Sequence, residues 1–324
     1  MGTFRFGILG AAGIASHFCI AVSQIEDCEV CAVASKSLER AEKFAATNGV
    51  PKYYDSYEEL LETEKPDAAY IAVTTNDHYR LSKMCVERGI PVLCEKAMFE
   101  SSEQARDLFA LAKEKQVFVM EALWSRFLPA VNKVKSWVEE GVIGIPQLSQ
   151  FTIGFIAPEN VENRYYSPAL GGGAARDITV YAYELTTYIL QQKIKRMNVS
   201  ATFAETGVDI NNHISIDFEH TLADLTTSFV TNVDNKMVLY GRYGKIVLPY
   251  PHFASECFWY DTNGELKEHF KDAQSRSGYV YEIEETIRCV REGKIESDVV
   301  PWSETLECAK LFDEIAKVAT NGIK

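Results

Sequence analysis

The chain is expected to fold as an α/β protein in two parts. The first is an N-terminal doubly wound parallel sheet, and the second a C-terminal α+β domain on a largely antiparallel open sheet. Three features of its 324 residues point there. Short apolar runs alternate with amphipathic stretches through the first third of the chain. A glycine-rich turn joins the first run to the first helical stretch. Past Trp124 the apolar residues begin to alternate with polar ones. At ~100–200 residues per domain the length suits two domains. They are expected at 1–122 and 123–324, with a C-terminal helix able to pack back on the first.

The runs Arg5–Gly10, Glu29–Ser35, Ala68–Thr74, Pro91–Glu95 and Val117–Glu121 are rich in Val, Ile, Ala and Leu. They lack polar alternation, as strands covered on both faces do. Between them Ile14–Gln24, Leu38–Asn48, Ser56–Glu62, Tyr79–Arg88 and Ser102–Lys115 carry helical patterns, the last capped by Ser101 or Ser102. Such alternation implies parallel strands joined by right-handed crossovers. In the second half, helices are expected at Pro129–Glu140 and Ala175–Leu190. Strands are expected at Leu148–Ile156, Arg196–Phe203, Ile214–Phe218, Ala223–Thr231, Met237–Tyr243 and Cys257–Tyr260. Asp261-Thr-Asn-Gly264 reads as a turn into a further strand, Glu265–Phe270. Helices at Tyr279–Glu292 and Ser303–Thr320 follow.

Hydrophobic content of 47% and charged content of 24% are those of a soluble globular protein. A net charge of −13 without any Lys/Arg block argues against nucleic acid and against an anionic membrane surface as partners. No run approaches the ~20 apolar residues that span a bilayer. Phe4–Ile14 lacks the basic leader and cleavage site of a secretory signal, so a cytoplasmic location is expected. The eight cysteines are scattered in apolar runs and read as reduced core thiols. Cys28 and Cys31 form a C-x-x-C on a strand, where residues three apart face opposite ways. No second pair completes a zinc site, and no metal is expected.

The turn Gly7-Ile-Leu-Gly10-Ala11-Ala12-Gly13-Ile14-Ala15 places Gly10, Ala12 and Ala15 at the three positions of G-x-G-x-x-G/A. The first permits a tight turn, the second a close approach of backbone to a pyrophosphate, and the third close helix–strand packing. Helix N-terminal amides then face the phosphates. Ala12 departs from the pattern, and Gly13 beside it is expected to restore the loop's freedom. NAD binders usually end the second strand on an acid that holds the ribose 2′-hydroxyl. Here Ser35-Lys36-Ser37 stands there, with Arg40 one helical turn on. Two cations and a hydroxyl suit a 2′-phosphate, so NADP(H) is the expected cofactor.

Thr74-Thr75-Asn76-Asp77-His78 and Glu95-Lys96-Ala97 follow the third and fourth apolar runs. Both lie at carboxyl ends of parallel strands, where open α/β sheets bind ligands. Thr74, Thr75, Asn76, Glu95 and Lys96 are thus expected at the cofactor. His78 reads equally as a cofactor contact or a packed residue. In the second half Gly171-Gly-Gly173 precedes Asp177 and Tyr181, four apart on one helix face.

Taken together, these residues make the chain resemble the glucose–fructose oxidoreductase/inositol dehydrogenase family of two-domain dehydrogenases, nearly end to end. The resemblance rests on the G-x-x-G-A-A-G-I-A turn, the Glu95-Lys96 pair and GGG before Asp177 and Tyr181. Met120-Glu-Ala-Leu-Trp124-Ser-Arg126-Phe127, together with Tyr181, resembles the dihydrodiol dehydrogenase and D-xylose dehydrogenase branch. The resemblance implies hydride transfer between a nicotinamide and a CH–OH or carbonyl carbon of a sugar, polyol or trans-dihydrodiol. The reverse reduction of a dicarbonyl or anhydro-sugar, and a non-catalytic dinucleotide sensor, are the alternatives. Chemistry of this kind needs a positioned acid/base. Tyr181 is expected to relay the proton, Lys96 to favour its ionised form, and Asp177 to orient Lys96 or a sugar hydroxyl. Trp124, Arg126, Arg164 and Tyr279 are the substrate-pocket candidates, while Phe127 reads as core and Tyr281 as either. The family usually has proline after Glu-Lys. Ala97 implies either a trans turn or a less rigidly held Lys96, because a non-proline cis bond costs ~2.5–4 kcal/mol. Members pair through the second sheet, so a homodimer is expected; the alternating apolar residues of Met237–Leu248 fit a sheet covered on both faces.

Overall fold

A computed structural model describes residues 2–273 and 276–321. Its contacts divide it into two compact units, Met1–Trp124 with Ser275–Ala309, and Ser125–Gln274 with Lys310–Lys324. In the first, β1 (Phe4–Leu9), α1 (Gly13–Val22), β2 (Cys28–Ala34), α2 (Leu38–Asn48), β3 (Tyr53–Tyr54) and α3 (Tyr57–Glu64) form one half. The other half is β4 (Ala68–Ile71), α4 (Thr75–Glu87), β5 (Val92–Glu95), α5 (Ser102–Lys115) and β6 (Val119–Ala122). The six strands are parallel in the order β3-β2-β1-β4-β5-β6, the doubly wound arrangement expected. The order reverses between β1 and β4, and the crevice at their carboxyl ends is where such sheets take ligands. Strands β1, β4, β5 and β6 are almost wholly buried, which explains their unbroken apolar character. Phe18 of α1 stacks on Tyr70 of β4 at 3.8 Å, joining helix to sheet. Ser101 caps α5, accepting the Gln104 N–H.

Two details depart from expectation. Helix α4 begins at Thr75, four residues before the expected Tyr79, so Thr75–His78 form the helix's first turn. The two-residue β3 escaped notice because Tyr53 and Tyr54 are too few to carry a period. Cys28 and Cys31 are free, burial raising their pKa to about 12 and about 11. Cys31 instead donates its thiol hydrogen to the Phe6 carbonyl.

The second unit holds α6 (Pro129–Glu139), β7 (Leu148–Gly154), a π turn at Ala175–Thr179, α7 (Val180–Leu190), β8 (Ile194–Phe203), β9 (Asp209–Phe218) and β10 (Leu222–Ser228). It continues with β11 (Lys236–Gly241), β12 (Gly244–Pro249), β13 (Glu256–Asp261) and β14 (Leu266–Lys271). The sheet order is β14-β13-β12-β11-β7-β10-β9-β8, antiparallel except for the β7–β10 pair. Helices α6 and α7 cover one face, with Trp137 fully buried beneath. One expected strand, Met237–Tyr243, is really the start of a hairpin, since Arg242 and Tyr243 turn the chain between Gly241 and Gly244. Only glycine fits at 241, where a Cβ would stand 2.1 Å from the Ile143 carbonyl oxygen.

Helix α8 (Tyr279–Arg291) and the start of α9 (Trp302–Asn321) belong with the first unit. The reason is the exposed edge of β6. Its Val119 N–H donates to the Ile295 carbonyl at 3.0 Å, and its carbonyl accepts the Trp302 indole N–H at 2.8 Å. The returning segment thus satisfies an edge that would otherwise offer unpaired backbone groups. Trp302 also stacks on Phe109 at 5.0 Å. Trp302→Ala is therefore expected to destabilise the first unit by about 3 kcal/mol, read as a fall in its urea midpoint; no shift would mean that the β6 edge is held without it.

Candidate active site

In the first unit the dinucleotide turn is built by close approach. Gly10 has φ +117°, and a Cβ there would stand 2.2 Å from the Ala72 carbonyl oxygen at the end of β4. Only glycine passes. Ala15, at the third motif position, is wholly buried against the sheet. The middle position needs no glycine, because Ala12 is ordinary extended backbone (φ −94°, ψ 164°) and caps α1. Contrary to the expectation from the sequence, Gly13 does not supply loop freedom; it is the first helical residue with ordinary φ, and a Cβ on it would meet open space. Helix α1 has no side-chain cap and no acid in its first turn, so its leading amides and dipole are left to an external anion. Ala11 and Ile14 flank this opening half-exposed.

At the end of β2, Ser35 is buried, Ser37 caps α2 by accepting the Arg40 N–H, and Lys36 and Arg40 are exposed. The sequence shows no acid here, but the fold supplies one. Asp77 of α4 accepts from Lys36 Nζ at 2.5 Å and from Arg80 Nε at 3.1 Å. Thr74 donates to Asn76 Oδ1 at 2.7 Å as the chain enters α4, and Thr75 is half-buried beside them.

The Glu95-Lys96-Ala97 turn is held from below. The Lys96–Ala97 peptide is cis, so the trans turn, one of the two alternatives that Ala97 implied, is not adopted. His78 resolves toward packing. It is 1% exposed, with Nδ1 2.8 Å from the Ala97 carbonyl oxygen and Nε2 3.1 Å from that of Val73. Burial lowers its pKa, against the two carbonyl contacts, which raise it. Glu121 of β6, buried and unremarked in the sequence, accepts the Met98 N–H at 2.9 Å. Glu95 is buried and accepts the Tyr70 hydroxyl at 2.5 Å. Lys96 itself is half-buried at the rim.

Glu282 of α8 is wholly buried, and neither carboxyl oxygen has a hydrogen-bond partner among the described residues. Desolvation first, then the charge of Glu95, raise its pKa well above the ordinary 4.5. Trp124 stacks on Tyr279 at 4.7 Å, so the structure brings these two candidates together; Tyr279 also faces the His17 ring. Tyr281 lies under the Arg276 guanidinium.

In the second unit two of the three glycines are explained by contact, and Gly171 by its left-handed φ of +76°. A Cβ on Gly172 would stand 2.8–3.0 Å from the carbonyl oxygens of Tyr165, Ser167 and Arg164, and one on Gly173 would stand 2.3 Å from Asp209 Oδ1. Asp177 is then met by Arg164 at 3.0 Å, whose guanidinium also lies over the Tyr165 ring. Arg164 thus joins Asp177 within its own unit. Tyr181 is 8% exposed and packs against His252 at 5.3 Å between ring centres. His252, in the short turn Pro251–Phe253, was missed because a lone histidine after a proline carries no pattern. Arg126 is no pocket residue. It is wholly buried in an ion pair with Glu184 and lies over Tyr188, and Phe127 beside it is half-buried.

The parallel sheet with its glycine turn is the architecture of a dinucleotide-binding oxidoreductase. Residues 4–123 match the model of an oxidoreductase family with an NAD-binding Rossmann fold, and residues 131–247 match the GFO/IDH/MocA C-terminal domain. The chain belongs to the GFO/IDH/MocA oxidoreductase family. It is 31% identical over 324 residues to trans-1,2-dihydrobenzene-1,2-diol dehydrogenase of Mus musculus, covering 97% of this chain and 96% of that one. The enzyme of the same name from Homo sapiens is 30% identical over 331 residues, with 97% and 96% covered. An aldose-aldose oxidoreductase from Caulobacter crescentus, complexed with glycerol, superposes with a TM-score of 0.88 at 17% identity, covering 99% and 98%. A 3-ketoreductase from Actinomadura kijaniata, in complex with NADP and TDP-benzene, does so at 0.85 and 22% identity, covering 96% of each. These two likenesses show the fold. Among the described residues no helix is long and apolar enough to cross a membrane, and no group of His, Cys, Asp and Glu is gathered to hold a metal ion.

A carboxyl whose folded pKa is raised contributes its full stability below its unfolded pKa, near 4.5, and loses it as pH rises toward the folded value. Above pH 4.5 the unfolded chain ionises while buried Glu282 does not. Glu282→Gln is therefore expected to be more stable than the parent at pH 8 and much closer to it at pH 5, by urea midpoints. Equal differences at both pH values would show that Glu282 is ionised in the folded protein.

Proposed function

We propose that this protein is an NADP(H)-dependent dehydrogenase that oxidises a CH–OH group of a trans-dihydrodiol, sugar or polyol. The observation that carries the reading is the near full-length similarity to trans-dihydrodiol dehydrogenases in a chain that keeps Lys96, Asp177 and Tyr181. The nucleotide fits the first unit, since Gly10 clears the backbone and α1 offers uncapped amides. Bound there, the nicotinamide would accept or return the hydride. Lys36 and Arg40 would take the 2′-phosphate, with the phosphate displacing Asp77 from Lys36; Arg80, paired with the same carboxylate, stands in reserve.

Tyr181 takes the proton from the substrate hydroxyl. An unperturbed tyrosine has a pKa of ~10, so it needs help near neutrality, and the Lys96 ammonium gives it by favouring the phenolate. His252, packed on the Tyr181 ring, fixes the bearing of the phenol. Asp177, braced by Arg164, orients substrate hydroxyls. Trp124 on Tyr279 offers an aromatic wall to an arene or a sugar face.

The test is consumption of NADP⁺ and NAD⁺ across a panel of trans-dihydrodiols, sugars and polyols. Tyr181→Phe and Lys96→Met are each expected to lower kcat by about 10²–10⁴-fold. Near-normal turnover in either variant would defeat the scheme. Lys36→Ala with Arg40→Ala is expected to weaken NADPH binding by about 100-fold or more while changing NADH little, each lost charge-assisted bond being worth ~1.5–3 kcal/mol. Equal loss for both nucleotides would refute the 2′-phosphate assignment.

The chain also forms a homodimer through the outward face of the second sheet. Val238, Val247 and Phe258 stand opposite one another there on β11, β12 and β13, an apolar strip away from the helices. Val247→Glu is expected to halve the mass seen by light scattering at micromolar concentration. A parent protein already monomeric there would exclude the dimer.

A further inference from the structure

Four buried polar side chains behind the GGG segment have no part in the reading so far. The helix that carries Asp177 and Tyr181 opens with the π turn Ala175–Thr179, in which the Val180 N–H reaches back to the Ala175 carbonyl. Such turns are rare, are often found at functional sites, and need support. Ala174, which precedes the turn, offers no side-chain cap. The cap comes from β9. Asp209 Oδ2 accepts the Ala175 N–H at 2.6 Å and an Asn212 amide hydrogen at 2.6 Å. The other Asn212 hydrogen goes to Thr179 Oγ1 at 3.1 Å. Thr179 donates its hydroxyl to the Ala174 carbonyl at 3.2 Å and lies 2.7 Å from Thr227 Oγ1 on β10.

The donors and acceptors close on one arrangement. With the Thr179 hydrogen on Ala174, Thr227 must donate to Thr179, and both Asn212 hydrogens are used. Asp209 is 7% exposed, and Asn212, Thr179 and Thr227 are 1% or less. Buried hydrogen bonds of this kind favour one geometry; within the network Asn212 Oδ1 alone has no hydrogen-bond partner among the described residues. Gly173 completes the device, since only a residue without a Cβ lets Asp209 come so near the turn.

We propose that Asp209 is a positioning residue for the reaction: with Asn212, Thr179 and Thr227 it locks the π turn and so sets the bearing of Asp177 relative to Tyr181. Relaxing the turn to a regular helix would shift that bearing by as much as one residue's rotation, about 100°. The inference rests on the reading of Tyr181 and Asp177 as reactive groups.

The experiment compares Asp209→Ala, Asp209→Asn and Asn212→Leu with the parent and with Tyr181→Phe. It measures kcat and KM on the substrate found by the panel, NADPH affinity, and amide exchange. Asp209→Ala and Asn212→Leu are expected to lower kcat at least tenfold, with NADPH affinity within twofold of the parent. Amides of residues 175–181 exchange at least tenfold faster, while those of 185–190 keep their rates. Asp209→Asn, which keeps an acceptor for Ala175, recovers most of kcat. Should Asp209→Ala fail to fold, Asn212→Leu, which leaves the Ala175 cap in place, carries the test at the same thresholds. A kcat within threefold of the parent, or faster exchange spread over the whole second unit, overturns the proposal. If Tyr181→Phe loses activity while the network variants keep theirs, the lock is wrong and the role of Tyr181 stands. If Tyr181→Phe also keeps full activity, or no substrate turns over, the reading of Tyr181 has failed, and the exchange rates alone decide whether Asp209 locks the turn.

Discussion

The contact between Gly10 and the Ala72 carbonyl governs the first unit. It lies where β1 and β4 part, the point at which the strand order reverses. A side chain at residue 10 would meet that oxygen at 2.2 Å, so the backbone of the turn runs directly against the neighbouring strand end. This proximity brings the open end of α1, the first turn of α4 and the Lys96 turn to one edge of a single sheet. Binding at that edge needs few side chains, because uncapped amides and a helix dipole supply much of the attraction for phosphate.

Both units place their reactive candidates on short backbone segments pinned by buried polar groups. Beneath Lys96, His78 and Glu121 grip the backbone at Ala97 and Met98, and Tyr70 holds Glu95. Beneath Asp177 and Tyr181, Asp209 holds the Ala175 amide. Burial pushes the pKa of Asp209 up, and its hydrogen bonds to Asn212 and Ala175 pull the other way. Side chains that reach solvent can be exact in direction only when their supports are locked, and buried hydrogen bonds supply that rigidity at little cost in dynamics. Glu282 differs, as a carboxyl kept in the core without a hydrogen-bond partner among the described residues, its pKa raised by burial. Its tie to the site is electrostatic, through Glu95.

Much of this was legible in the chain. Buried parallel strands announce themselves by unbroken apolar runs, and α5 by its serine cap and its period. The motif at Gly10, the cations after β2, the Glu95-Lys96 pair and the GGG-to-Tyr181 spacing are all local, so the sequence could single them out as candidates. Arg126 misled because an arginine near an aromatic motif reads as a ligand, whereas its partner Glu184 lies 58 residues away. Helix α4 misled because Thr75 and Asn76 are weak helix formers, and the strand end before them decides the start.

What the sequence determined by itself is therefore what depends on neighbours along the chain: strand and helix periods, the dinucleotide turn, and the candidates for the groups that would do chemistry. Only the tertiary structure decided which partners those groups have. Asp77 reaches Lys36 from a different helix, Arg164 reaches Asp177, Trp124 lies on Tyr279, and Asp209 caps a turn from the next sheet strand over. The physical reason is range. Period and turn chemistry act over a few residues, whereas a buried hydrogen bond or ion pair is chosen by which distant strands and helices the packing of the core brings within 3 Å or so of each other.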